Sequence, residues 1–115
     1  MVGIGTDIVE FARVKKIRNL RRFAEYFLLP SEIETFDNAP HPIAFIASRF
    51  AAKEAVIKAF PGFLSPHDFE IIKAADGKKP IIKFVAPDKE NRYRMLVSIS
   101  HSTDYAAGYA IATIK

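Results

Sequence analysis

The sequence has no cysteine, and only 5 of its 115 residues are glycine. Without cysteine there is no disulfide framework, no thiolate nucleophile and no Cys-based zinc or iron–sulfur site. Neither a G-x-x-x-x-G-K-[ST] loop nor a G-x-G-x-x-G fingerprint is present, and nucleophile-elbow patterns are absent as well. No apolar run approaches the ~20 residues of a membrane span, and Met1 leads directly into a strand-like segment rather than a signal peptide. Repeats, low-complexity stretches and linkers are also lacking. The expectation is a soluble cytoplasmic protein with no membrane contact.

What is present is ordinary globular composition, 50% apolar and 26% charged. It fits a single domain over residues 1–115. A chain this short buries only about two-thirds of its unfolded surface, so association with further copies would supplement its core. The net charge is +4, and the local concentration is Arg13, Lys15, Lys16, Arg18, Arg21 and Arg22, with no acid among them. Two readings stand side by side, a solvated helix face and a docking surface for an acidic partner. Phe23 and Phe27 sit at helical spacing and read as core, so nothing here looks like a nucleic-acid stacking platform.

Residues 2–9 alternate, with Val2, Ile4 and Ile8 on one parity and Gly3, Gly5, Asp7 and Val9 on the other, which predicts a buried strand. Phe11, Val14 and Ile17 recur every third residue, a stripe that drifts around a helix, so residues 11–28 read as two short helices. Pro30 ends that region, and Ser31 with Glu34 forms a capping-box pattern that opens another short helix. Residues 43–60 carry the longest helical signal, stopped by Pro61–Gly62. Residues 68–74 and 80–85 read as strands around the hairpin signal Asp76–Gly77. A second pair, 96–101 and 105–114, flanks the polar turn Ser102-Thr103-Asp104. On the last strand Ala106, Gly108, Ala110 and Ala112 share one face, small enough for a helix carrying Ala47 and Ala51 to approach closely. The predicted class is α+β: a mainly antiparallel sheet packed on one long helix, plus short helices.

Glu54 is the most informative residue. On an ideal wheel at about 100° per residue, Ile46, Ala47, Phe50 and Ile57 gather around Ile43, and Glu54 falls at about +20°, inside that stripe. A carboxylate there is paired, metal-bound or protonated, unless it reaches solvent at the stripe's end or pairs with Lys58 one turn on. Asp7, near the end of the first strand, is the second candidate, and capping of the following helix is its plainer role. Two carboxylates from separate elements suit Mg²⁺, which wants hard oxygen ligands and takes substrate phosphates to complete its octahedron. His101, at the mouth of the turn, is the third candidate. Arg49, Lys53 and Lys58 surround Glu54 along the helix and would suit a polyphosphate substrate, with a solvated flank the favoured reading of Lys53.

Three blocks then resemble one family. G-I-G-T-D-I-V-E at 3–10, R-F-A-A-K-E-A-V-I-K-A-F at 49–60 and S-I-S-H-S-T-D-Y-A at 98–106 are similar, in order and spacing, to holo-acyl-carrier-protein synthase, the short bacterial form of 4′-phosphopantetheinyl transferase. D-G-K-K-P at 76–80 resembles the family's intervening hairpin. The resemblance implies Mg²⁺-dependent transfer of the 4′-phosphopantetheine arm from coenzyme A to a serine of apo-acyl carrier protein, a step that serves fatty acid biosynthesis, with release of adenosine 3′,5′-bisphosphate. It implies Asp7 and Glu54 as metal ligands and catalytic residues with Lys58, which would contact the coenzyme A phosphates. It implies Arg49, His101, Ser102 and Gly62 as further parts of the coenzyme A site. It implies a homotrimer in which Arg49 and His101 of one subunit face Asp7 and Glu54 of the next. Arg13, Lys16, Arg21 and Arg22 would match the surface that docks the acidic helix of the carrier protein.

One departure stands out. After K-A-F the family usually has a Gly-x-Gly turn against the nucleotide, whereas this chain has Pro61, Gly62 and Phe63. Proline has no amide to donate. Two groups are candidates for the base that accepts the serine proton, Glu54 and a water on the cation. The competing reading is a non-catalytic basic module that holds Mg²⁺–nucleotide or RNA. Glu54 inside an apolar stripe separates the two, since a purely electrostatic binder would not need it.

Overall fold

The computed structural model describes residues 2–73, 77, 79–87 and 92–115. The elements run β1 (Gly3–Glu10), α1 (Phe11–Lys15), α2 (Leu20–Glu25), α3 (Pro30–Asp37), α4 (Pro42–Ala59), β2 (Phe69–Lys73), β3 (Pro80–Phe84), β4 (Tyr93–His101) and β5 (Tyr105–Ile114), with a 3-10 turn at Pro66–Asp68. The predicted α+β arrangement forms. Its strands divide into a three-stranded antiparallel sheet of order β1-β5-β4 and a β2–β3 hairpin beside it. Gly77, in the connection between β2 and β3, has φ 72 and takes the left-handed turn position that glycine favours. Asp76 and Lys78 of the hairpin motif lie outside the described residues.

The register stacks four rows of side chains against α4. Gly3, Ala112 and Met95 form the first, Gly5, Ala110 and Val97 the second, Asp7, Gly108 and Ile99 the third, and Val9, Ala106 and His101 the last. Small residues in these rows let the helix backbone come unusually close. A Cβ on Gly5 would lie 2.0 Å from the Ala55 carbonyl oxygen, and one on Gly108 would lie 2.5 Å from that of Ala51. The space the β1 glycines leave is thus filled by α4 itself. Ala47, Ala51, Ala52 and Ala55 are fully buried in return.

Two cores share the helix. Its N-terminal half packs with α1, α2 and α3 around Val14, Phe27, Phe36 and Ile46, where Phe27 meets Phe50 edge to face at 5.2 Å. Its C-terminal half packs with the hairpin around Val56, Phe60, Phe69 and Phe84. Because α4 is covered nearly all round, the stripe expected on one face widens to almost its whole circumference.

Three expectations change. Pro30 opens α3 rather than closing the region before it: it occupies the first turn, where its missing N–H costs nothing. The capping carboxylate is Glu32, which accepts the Leu29 N–H at 2.9 Å, in place of the Ser31–Glu34 pair. Lys53 is not on a solvated flank but 1% exposed.

Candidate active site

Asp7 and Glu54 come together on the β1 side of α4. The three glycines fix the distance between helix and sheet, and the register sets Asp7 opposite Gly108, against which Ala51 and Ala52 pack. Lys58 Nζ donates to the Thr6 carbonyl at 2.9 Å and lies 3.4 Å from Asp7 Oδ1. Burial pushes the Glu54 carboxyl above its ordinary value, the Asp7 charge pushes it further, and Lys58 opposes both. The result is two mutually repelling carboxylates beside one ammonium. Among the described residues no group of three or more His, Cys, Asp or Glu side chains forms a metal cluster. A pair of carboxylates would fit Mg²⁺, an ion that typically takes one or two protein carboxylates.

Arg49 and His101 lie on the other side of the helix. They line a cleft of about 1010 Å³ between α3, α4, β2 and the end of β4, together with His41, Phe45, Ser48 and Glu70. The Arg49 guanidinium sits 4.9 Å from the Phe45 ring centroid. Burial lowers its pKa, opposed by the Glu32 charge, and an arginine stays protonated throughout. Asp7, Glu54 and Lys58 do not line this cleft. Five of the seven expected site residues therefore fall into two groups within a single chain, Asp7, Glu54 and Lys58 on one side of the helix and Arg49 with His101 on the other.

The remaining expected residues are placed as follows. Gly62 has φ 102 in the Pro61–Phe63 turn after α4, and a Cβ there would meet nothing within 4 Å. Ser102, beside His101, closes its own turn: Oγ accepts from the N–H groups of Asp104 at 3.4 Å and Tyr105 at 3.3 Å. Arg13, Lys16 and Arg22 are exposed. Arg21 is exposed too but is engaged by Asp37 at 3.5 Å and Glu25 at 3.9 Å, so the basic stretch presents less free charge than its sequence implies.

Sequence reasoning missed Glu32 and Glu70. Glu70 accepts a hydrogen bond from Ser31 Oγ in the cleft. Glu32 lies under the cleft, 2.7 Å from Lys53 Nζ. The one local signal for Glu32 is its place three residues after Leu29. Nothing in the sequence connects it to Lys53, 21 positions on.

The chain matches the 4′-phosphopantetheinyl transferase superfamily over residues 3–114. A holo-[acyl-carrier-protein] synthase from Clostridium kluyveri is 38% identical over 97% of this chain and 90% of its own length. The solved holo-(acyl-carrier-protein) synthase from Bacillus anthracis, in complex with CoA (3′,5′-ADP), superposes with a TM-score of 0.84 at 32% identity, covering 99% of this chain and 97% of that one. The Helicobacter pylori synthase in complex with coenzyme A gives 0.79 at 33% identity, covering 96% and 99%. A shared fold, near-complete coverage and a family match over almost the whole chain place it in one class, the phosphopantetheine-transferring enzymes. It belongs to the 4′-phosphopantetheinyl transferase superfamily, in its holo-[acyl-carrier-protein] synthase family. With an enzyme family shown, the non-catalytic binding module falls away.

Proposed function

We propose that this enzyme moves the 4′-phosphopantetheine arm of coenzyme A onto a serine of an apo-acyl carrier protein, with Mg²⁺ and with release of adenosine 3′,5′-bisphosphate. The observation that carries the reading is the pairing of Asp7 with a Glu54 whose pKa is raised by burial and by that same neighbour, with Lys58 alongside. Two carboxylates brought together at this cost suit a divalent cation that removes the repulsion. Asp7 and Glu54 would hold Mg²⁺, which when bound supplies charge neutralisation across the diphosphate.

The chain's own groups do the rest. Lys58 is tethered weakly enough to turn its ammonium to a phosphate oxygen and ease departure of the nucleotide. Glu54 is placed either to accept the proton of the attacking serine hydroxyl itself or to hold the cation whose water would accept it. Arg49 lies in the cleft with no carboxylate paired to it in the ion pairs described, so its donors are available to a phosphate of coenzyme A, with His101 beside it. Gly62 and Ser102 border the same ligand, at the nucleotide end and beside His101.

A trimer supplies what one chain separates. The outer face of the three-stranded sheet carries Ile4, Ile8, Leu96, Tyr109 and Ile111, all exposed. An apolar sheet face of this kind supports the reading of an interface between copies. In a homotrimer Arg49 and His101 of one subunit would meet Asp7, Glu54 and Lys58 of the next. Arg13, Lys16, Arg21 and Arg22 would dock the acidic carrier protein, in a cytoplasmic step serving fatty acid biosynthesis. No helix among the described residues is long and apolar enough to cross a membrane.

The test is mass spectrometry of apo-carrier protein incubated with coenzyme A, Mg²⁺ and this chain. A gain of about 340 Da, the mass of the arm, is the expected result. An unmodified carrier protein would overturn the reading.

A further inference from the structure

Lys53 and Glu32 are 1% and 4% exposed, and neither belongs to the carboxylate site. Lys53 Nζ donates at 2.7 Å to each of Glu32 Oε1, the Pro66 carbonyl and the Phe69 carbonyl. Glu32 Oε1 also accepts the Leu29 N–H at the start of α3, and its Oε2 accepts the Ile71 N–H at 2.9 Å. Phe69 and Ile71 are alternate residues of β2, so their backbone groups point to the same edge, the one away from β3. The ion pair therefore takes the place of a neighbouring strand on that edge. It joins α3, α4 and β2, three of the elements that wall the cleft containing Arg49. Arg49 stands one turn before Lys53 on α4.

A buried ion pair is a poor way to gain stability, since a well-packed apolar pair does as well or better. What this pair provides is geometry: one ammonium and one carboxylate satisfy four backbone groups from three segments of the chain, the start of α3, the 3-10 turn and β2. We propose that Lys53 and Glu32 are positioning residues that pin the β2 edge to α3 and α4 and so hold the Arg49 cleft at the width that receives coenzyme A. The inference rests on the reading of that cleft as the nucleotide side of the transferase site.

The experiment compares steady-state kinetics of the wild type, the Lys53→Met/Glu32→Gln double variant, Lys53→Met alone, and Arg49→Ala. The double variant carries no unpaired buried charge, so it melts cooperatively. Its KM for coenzyme A rises about tenfold while kcat and the KM for carrier protein stay within about threefold, the signature of lost ground-state positioning. Lys53→Met alone is worse than the double variant, because it leaves the Glu32 carboxylate uncompensated. An unchanged KM for coenzyme A in the double variant, with Arg49→Ala raising it, overturns the proposal and leaves the cleft reading intact. An unchanged KM in Arg49→Ala as well overturns both. Failure of the double variant to fold, or a parallel loss in kcat and both KM values, makes the pair a determinant of the fold alone and also overturns the proposal.

Discussion

Two lysines on one helix, five residues apart, make opposite use of the same charge. Lys58 is half exposed and reaches Asp7 at 3.4 Å, a contact that an arriving ligand can exchange. Lys53 is sealed, with three partners at 2.7 Å and no route to solvent. A surface pair is worth at most about 1 kcal/mol, whereas breaking a buried one costs several. The helix thus keeps one flank negotiable, where the proposed function would handle phosphates, and the other fixed, where the proposed positioning pair would hold the cleft wall.

That contrast can be broken from either side. The largest effect is expected at the fixed flank: Lys53→Ala leaves the Glu32 carboxylate buried and unpaired, and chemical denaturation should show a loss of about 3–5 kcal/mol. At the negotiable flank, Asp7→Ala and Glu54→Ala should each lower turnover by at least ~10²-fold while the melting transition stays cooperative. Between the flanks, Gly108→Ala forces a methyl group against the Ala51 carbonyl, at 2.5 Å before any adjustment. A loss of about 1–3 kcal/mol in urea is expected from this overpacking. On the outer surface, charge reversal at Arg13 and Arg22 should raise the KM for carrier protein several times more than that for coenzyme A. Reversal at Arg21 should do less, since Asp37 and Glu25 already engage it, and added salt should mimic the change over a screening length of about 10 Å.

The smallest effect concerns pH. The Glu54 pKa is raised in the folded chain by burial and by Asp7. The folded state therefore favours the protonated form, and the stability this confers is full below the unfolded carboxylate range and lost as pH rises through the folded value. In the absence of divalent cation, Glu54→Gln should melt above the wild type at neutral pH, with the gap closing under acid conditions. A gap that widens on acidification would contradict the raised value.

The fold was legible where local pattern and tertiary need coincide. Small residues at Ala106, Gly108, Ala110 and Ala112 announced a close helix–sheet contact, and Pro61–Gly62 marked the end of α4. Asp7 and Glu54 stood out because a carboxylate in an apolar stripe, or beside glycines on a strand, conflicts with its surroundings. Lys53 was misread because a helical wheel describes one element, while the partner that buries this lysine lies on α3 and the carbonyls that receive it lie around β2. Pro30 was misread because proline ends some helices and begins others, and the distinction rests on where Glu32 turns its side chain. The division of Asp7, Glu54 and Lys58 from Arg49 and His101 follows from strand order, which no local pattern contains: Asp7 and His101 share a sheet face but lie on its opposite edges.

That division is the core of the account, and mixing two inactive variants tests it most directly. Asp7→Ala subunits retain an intact Arg49 side, and Arg49→Ala subunits retain an intact carboxylate side. Dissociated and reassembled together in equal amounts, they should regain about a quarter of the wild-type activity, the share of interfaces that pair two intact halves. A mixture as inactive as either variant alone would contradict a site built between subunits.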